Sequence, residues 1–488
     1  MDPSRYSTRY IALKFAYLGK NYGGFEFQAM GNQPSIEEEL WNALTKACLI
    51  FPEDEKVVDY DCCEYSKCGR TDRGVSAFGQ VVGLRVRSNR PLPKKRLKLD
   101  ESEATGDASA APVAERPDAM EVDEVEQDPS FDPVLDEIPY PHVLNRLLPK
   151  DIRILAWCPA PPPDFSARFS CRERQYRYFF TQPAFAPSPS HLDAPRGNTV
   201  KPGWLNIEAM RDAAKRYEGE HDFRNLCKID PAKQITNFHR RIFESDIVEV
   251  KDAASALPYL RASGFSPEDL DTTDGVYPKV YYFHVRGSAF LWHQIRHMVA
   301  VLFLVENPRR PNYVMADEVP LVLWDCIFPA DLNDATTSAH KDSLQWVHVG
   351  DDGPTGRFGQ FGVMDDAWQT WRERKMDEVL AGQLLQHVAQ QDARGNRPAG
   401  KQMTTTTANN NNNNNNNKPS STKVFEGGNS GRMGGRYVGV MKMKMLDSAD
   451  EQNEKYAKRK GYADADDMRE KKFGKKKDDS DVIAVDDE

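Results

Sequence analysis

The chain has 488 residues, a mean hydropathy of −0.67 and a formal net charge of −9. That length allows a large core and two or three domains, while the low hydropathy requires that much of the chain stays outside any core. The acidity at face value argues against a polyanion partner, yet residues 100–137 alone carry 14 acidic side chains against one basic, Arg116, leaving a net of +4 for everything else.

Residues 9–17 alternate, with Ile11, Leu13, Phe15 and Tyr17 on one face, which predicts a half-buried strand. A glycine-rich loop follows (Gly19, Gly23, Gly24), then Ser35 and Glu38 at capping-box spacing ahead of the helical stripe Ile36, Leu40, Ala43, Leu44 and Ala47. A second glycine-bearing loop, 67–80, holds Asp72 between Arg70 and Arg73 and runs into the strand-forming Val81, Val82, Leu84 and Val86. Order returns at His142 with a short helix stopped by Pro149 and a strand over 152–158. Residues 172–181 alternate, placing Tyr176, Tyr178 and Phe180 opposite Arg177 and Phe179. Next come a helix capped by Asn206, strands over 243–250 and 280–285, an apolar helix over 290–306, and a brief strand over 321–324.

These patterns predict an α+β fold in two halves. The divisions are 6–92, the first half of the core with the Asp72 loop; 93–138, an acidic disordered insertion; 139–346, the second half; 347–392, a helical extension; and 393–488, a mostly disordered charged tail with nine consecutive asparagines. Lys471, Lys472, Lys475, Lys476 and Lys477 read equally as a nuclear-import patch or a solvated charge run. The eight cysteines form no C-x-x-C pair and no zinc-type spacing, so they read as reduced thiols of a cytosolic or nuclear protein with no metal site. Residues 1–9 are polar, without the apolar stretch of a signal peptide, and the most apolar run, 298–305, is too short to span a bilayer.

Three stretches carry chemistry: Cys68-Gly69-Arg70-Thr71-Asp72 with Val75-Ser76-Ala77-Phe78-Gly79-Gln80; Ala167-Arg168-Phe169-Ser170 leading to Arg174-Gln175-Tyr176-Arg177-Tyr178; and Gly287-Ser288-Ala289-Phe290-Leu291-Trp292-His293-Gln294-Ile295-Arg296-His297. Each alone has a bland account, a charged turn, a sheet core or a helix with a snorkelling arginine. Together they resemble the TruA-type tRNA pseudouridine synthases, whose G-R-T-D-x-G-V-x-A-x-G-Q-V segment is matched from Gly69 through Val81. Cys68, Phe78 and the run Asp222-Phe223-Arg224-Asn225-Leu226-Cys227-Lys228 resemble the eukaryotic branch that modifies uridines 38 and 39 of the anticodon arm, as does Asn453-Glu454-Lys455-Tyr456-Ala457-Lys458 near the C-terminus.

The resemblance implies a pseudouridine synthase core with a central, mostly antiparallel mixed sheet flanked by helices. It makes Asp72 the catalytic carboxylate, Arg70 its ion-pair partner, Tyr176 the active-site tyrosine, Arg296 the helix arginine and Leu321 the apolar residue beside the target base. It implies tRNA as partner, no membrane, no cofactor and no metal, a homodimer, and residence in nucleus and cytoplasm. Arg73 departs from the alanine of bacterial members and fits a phosphate contact, with Arg168, Arg172, Arg174 and Arg177 as further candidates. An RNA-binding protein without turnover is the main alternative, disfavoured by the intact Arg70 and Asp72. A glycoside hydrolase is disfavoured because only one carboxylate stands in a motif.

Overall fold

Alternating segments become strands of one sheet, and the stripes between them become helices that cover its faces. The computed structural model describes residues 3–92, 131–185, 204–250, 278–305, 315–329, 344–351, 357, 362–391, 422–425, 427–428, 432–434 and 446–473. In the first half, β1 (Ser7–Tyr17) leads through the glycine loop to α1 (Ile36–Lys46), then to β2 (Ser66–Lys67) and β3 (Ser76–Ser88). The capping box at the start of α1 forms as its sequence requires: the Ser35 hydroxyl accepts from Glu38 N and the Glu38 carboxylate accepts from Ser35 N. The second half adds α2 (Tyr140–Asn145), β4 (Ile152–Cys158), β5 (Glu173–Gln182), α3 (Ile207–Lys215), β6 (Gly219–Asp222), β7 (His239–Glu249), β8 (Lys279–Gly287), α4 (Gln294–Leu302), β9 (Leu321–Ile327) and β10 (Val347–His348). Beyond it lie α5 (Val363–Gln391), the hairpin β11 (Thr422–Val424) and β12 (Arg432–Gly434), and the helices α6 (Ala449–Arg459) and α7 (Ala465–Phe473).

Among the described residues the sheet has 10 strands in the order β10-β4-β1-β3-β9-β5-β8-β7-β6, with β2 against β3. Its pairings are antiparallel except β3 with β9, where Ser76 faces Val322 and Ala77 faces Leu323. The sheet is thus the expected mixed one of an α+β core; the two halves meet at its parallel step, β3 with β9, and again where β4 pairs with β1. One apolar cluster packs α1 and α2 against β1, β3 and β4; a second packs α3 and α4 against β5, β7 and β8. Tyr176, on β5, touches both clusters and so marks the seam.

Three expectations need correction. The apolar helix begins at Gln294 rather than near Phe290, because His293 takes a left-handed conformation (φ 61°) that breaks the helix there. The last residues of the acidic insertion, 131–138, are not a disordered spacer: Glu137 is buried, accepting from Ser88 Oγ (2.6 Å), Asn89 N (2.8 Å) and Arg9 Nη1 (2.8 Å). Within the tail, α6 and α7 fold back onto the second half through fully buried Asn453, which donates to Ile235 O (3.3 Å) and accepts at its own carbonyl from Gln234 Nε2 (3.2 Å). The asparagine run and the lysines beyond 473 lie outside the described residues.

Candidate active site

The Asp72 loop sits at the seam, between β2 and β3, and the surrounding fold determines its course. Gln80 folds back from β3 to pair with both main-chain groups of Gly69 (2.8 and 3.1 Å), and Cys68 N donates to Val81 O (2.9 Å). Thr71 is held at its carbonyl by Phe25 N (3.0 Å) and at its hydroxyl by Tyr17 (2.7 Å), and Val75 N closes the turn on Asp72 O (3.1 Å). Two glycines permit this. Gly74 turns at φ +80°, and at Gly19 a β-carbon would collide with the Val75 carbonyl. Asp72 is therefore presented on a loop tied down at nearly every neighbour.

Opposite it stands the turn that precedes α4. Trp292 Nε1 donates to Asp72 Oδ1 (3.2 Å), and His293 Nε2 lies 3.3 Å from Oδ2. Burial, together with the nearby charges of Arg296 and Lys228, pushes the His293 imidazole down to about 4, so at neutral pH the ring beside Asp72 is uncharged. Burial also raises the Asp72 carboxyl above its usual value, opposed by the Arg296 charge, the Trp292 hydrogen bond and Lys228. Lys228 ends the run that began at Asp222; its N–H donates to Trp292 O (2.9 Å) and its ammonium lies 3.9 Å from the Trp292 ring centre. Arg296 is buried and fixed by Ala316 O (2.7 Å) and Glu318 Oε2 (2.6 Å).

Arg70, Asp72, Tyr176, Arg296 and Leu321 all line one cleft. The structure changes several of their expected roles. Arg70 does not pair with Asp72; it points outward, 3.5 Å from half-exposed Glu26, a contact worth little. Burial pushes the Tyr176 hydroxyl well above its ordinary value, so it stays protonated at neutral pH, while its ring meets Phe290 edge-on at 5.3 Å. Among the proposed phosphate contacts, Arg174 is buried and spends its donors on the carbonyls of Ser288, Cys68 and Arg168. Arg177 lies on the opposite face of β5, stacked 3.6 Å from the Trp324 ring centre and 4.6 Å from that of Tyr282. Arg73 and Arg172 remain exposed. Trp292 and Lys228 lie in these motifs without a role that the sequence discloses; the polar residues His293, Gln294, Arg296 and His297 directly after Trp292 are the available signal.

A mixed sheet of this order, with one carboxylate in a cleft at its central seam, is the architecture of a pseudouridine synthase core. Residues 213–311 match the family model described as tRNA pseudouridine synthase. The chain is 38% identical over 359 residues to the tRNA pseudouridine(38/39) synthase of Saccharomyces cerevisiae, covering 70% of this chain and 62% of the relative. It is 38% identical over 344 residues to the Homo sapiens protein of the same name, covering 67% and 57%. A probable tRNA pseudouridine synthase of Caenorhabditis elegans is 29% identical over 404 residues, covering 79% and 80%. The family match and the 38% identity make the chain similar to the tRNA pseudouridine synthases, and it spans about three-fifths of the length of the yeast and human relatives. Among the described residues no helix is long and apolar enough to cross a membrane.

Proposed function

We propose that this protein converts uridine to pseudouridine at positions 38 and/or 39 of the tRNA anticodon stem-loop, with Asp72 as its catalytic carboxylate and no cofactor. The observation that carries this reading is the placement of Asp72: a single carboxylate on a braced loop, partly desolvated, with an indole donor on one oxygen and the Tyr176 ring and Leu321 in the same cleft. The reaction is an isomerisation. The N1–C1′ bond breaks, the uracil turns, C5 joins C1′, and the C5 proton is lost as N1 gains one. An ionised Asp72 serves this as a nucleophile at C1′ or at C6, or by taking a ribose proton. The buried charge of Arg296 and the Trp292 N–H favour the ionised form against the pull of burial.

A stacked uridine must leave its helix to reach this cleft. Arg70, exposed at the mouth and weakly paired, is the side chain placed to fill the gap it leaves. Exposed Arg73 and Arg172 meet the phosphates. Homodimeric assembly and residence in both nucleus and cytoplasm belong to the same proposal, checked by light scattering and by imaging of a fluorescent fusion.

The test is incubation with unmodified tRNA transcripts, mapping pseudouridine by carbodiimide-dependent reverse-transcription stops. Stops at 38 or 39 that vanish with Asp72→Ala are the expected result. Stops that persist in Asp72→Ala overturn the role of Asp72, and the absence of stops with the wild-type chain overturns the activity.

A further inference from the structure

Spacing along the chain gives no metal motif, but folding assembles one from distant positions. Cys68 leaves β2 for the Asp72 loop, Cys171 immediately precedes β5, and Cys326 lies in β9. Their sulfurs all lie within 4.8 Å of one another, and all three residues are buried. Four-coordinate zinc with Zn–S of about 2.3 Å needs sulfurs about 3.8 Å apart, so the three close on an ion with side-chain shifts of on the order of 1 Å.

The surroundings argue for more than three packed thiols. The Arg174 guanidinium is buried alongside; it donates to Cys68 O (3.1 Å), Arg168 O (3.2 Å) and Ser288 O (2.9 Å), and among the described residues no carboxylate pairs with it. A buried cation with only neutral partners is costly. Three thiolates around a divalent ion carry one net negative charge, the complement of that guanidinium. Cys68 and Arg174 also line the cleft, the side from which an ion would enter.

We infer that Cys68, Cys171 and Cys326 form a trithiolate site for a divalent thiophilic ion of the zinc class, beneath the Asp72 loop. Cys68 belongs to the first half of the core, Cys171 and Cys326 to the second, so the ion clips the halves together four residues before Asp72. Binding releases the thiol protons and adds its free energy to the fold, as at other thiolate sites.

The test uses the full chain, prepared reduced and stripped with a chelating resin. Titration with Cd2+ is expected to raise a sulfur-to-metal charge-transfer band that saturates at one equivalent, and Zn2+ is expected to displace it. Cys171→Ser and Cys326→Ser each weaken binding by about tenfold or more, while Cys62→Ser, at an exposed cysteine away from the cluster, leaves it unchanged. A wild-type chain that gives no band overturns the site without recourse to any variant, as does a band that survives Cys171→Ser at full affinity. Because the readout is metal occupancy, its failure is distinct from failure of the isomerase reading.

Discussion

Trp292→Phe isolates the environment of Asp72. The phenyl ring keeps a face for the Lys228 ammonium, now 3.9 Å from the indole centre, and removes the N–H that donates to Oδ1 together with one ring of the indole. A hydrogen bond to a charged group contributes about 1.5–3 kcal/mol, and at 3.2 Å this one lies at the long end of N–H···O geometry, so the lower figure applies. About 1.5 kcal/mol is a little over tenfold in rate if the bond orients the carboxylate in the transition state. The variant has a second signature. Without the donor, the upward push of burial on Asp72 is less opposed, so the acid limb of the rate profile moves to higher pH. Single-turnover pseudouridine formation on a tRNA transcript, measured across the acid range, reads both effects. A rate within twofold of wild type and an unmoved acid limb refute the claim that Trp292 holds Asp72.

Asp72→Asn is expected to abolish turnover and, at neutral pH, to raise the melting temperature. Burial holds the folded carboxyl above its unfolded value, so wild type loses stability as pH rises through the folded pKa, a loss the amide does not share. The gap between variant and wild type therefore opens from acid to neutral pH, and a pH-independent gap counts against it. Asn453→Ala removes the donor to Ile235 O that docks α6, at about 1 kcal/mol, and should speed limited proteolysis within 446–473 about fivefold without slowing turnover. Replacing exposed Arg73 with Gln should lower the steepness of log affinity for tRNA against log salt by about 0.7–0.9, one phosphate contact, whereas Arg177→Gln, on the far face of β5, should leave the slope unchanged. Equal slopes for all three proteins would remove Arg73 from the interface.

What the sequence discloses follows the range of the interactions. The Ser35 capping box and the Asn206 cap depend on neighbours a few residues away, and they form where the pattern places them; the strand Ile152–Cys158 forms there too, paired with distant β1. The motif discloses Asp72 but not its partners, because Trp292 lies 220 residues on and only the packing of α4 against the seam brings it there. Arg70 is two residues from Asp72 in sequence, yet the turn closed by Val75 N sends it to the outside. The alternation of β5 already separated Arg177 from Tyr176, so its exclusion from the cleft was legible and only needed the cleft to be assigned to the tyrosine face. The tail helices bury little besides Ala449, Asn453, Ala457, Ala465 and Met468, too few for a clear stripe, although Ser448 and Glu451 form a capping box that marks the start of α6. Glu137 reads as one more acid in an acidic run because Arg9 and Ser88, which satisfy it, belong to distant strands.

The chemistry is divided between the halves. The first supplies Asp72 on its braced loop; the second supplies Trp292, His293, Arg296, Tyr176 and Leu321. Neither half alone contains a site, so the parallel step between β3 and β9 determines whether the carboxylate meets its surroundings. That step is short, pairing Ser76 with Val322 and Ala77 with Leu323, and the residues that cross the seam reinforce it: Tyr176 packs into both cores, and Lys14 reaches from β1 to Asp325 on β9 (2.8 Å). The cysteine cluster spans the same join from below. Desolvation at such a seam explains why a carboxylate there has its pKa raised while a histidine 3.3 Å away is uncharged: both lose water, and the positive charges of Arg296 and Lys228 favour the anion of one and oppose the cation of the other. Burial is the larger cause in both, and one pair of basic side chains then favours the Asp72 anion while it opposes the His293 cation, leaving a neutral ring beside the carboxyl at neutral pH.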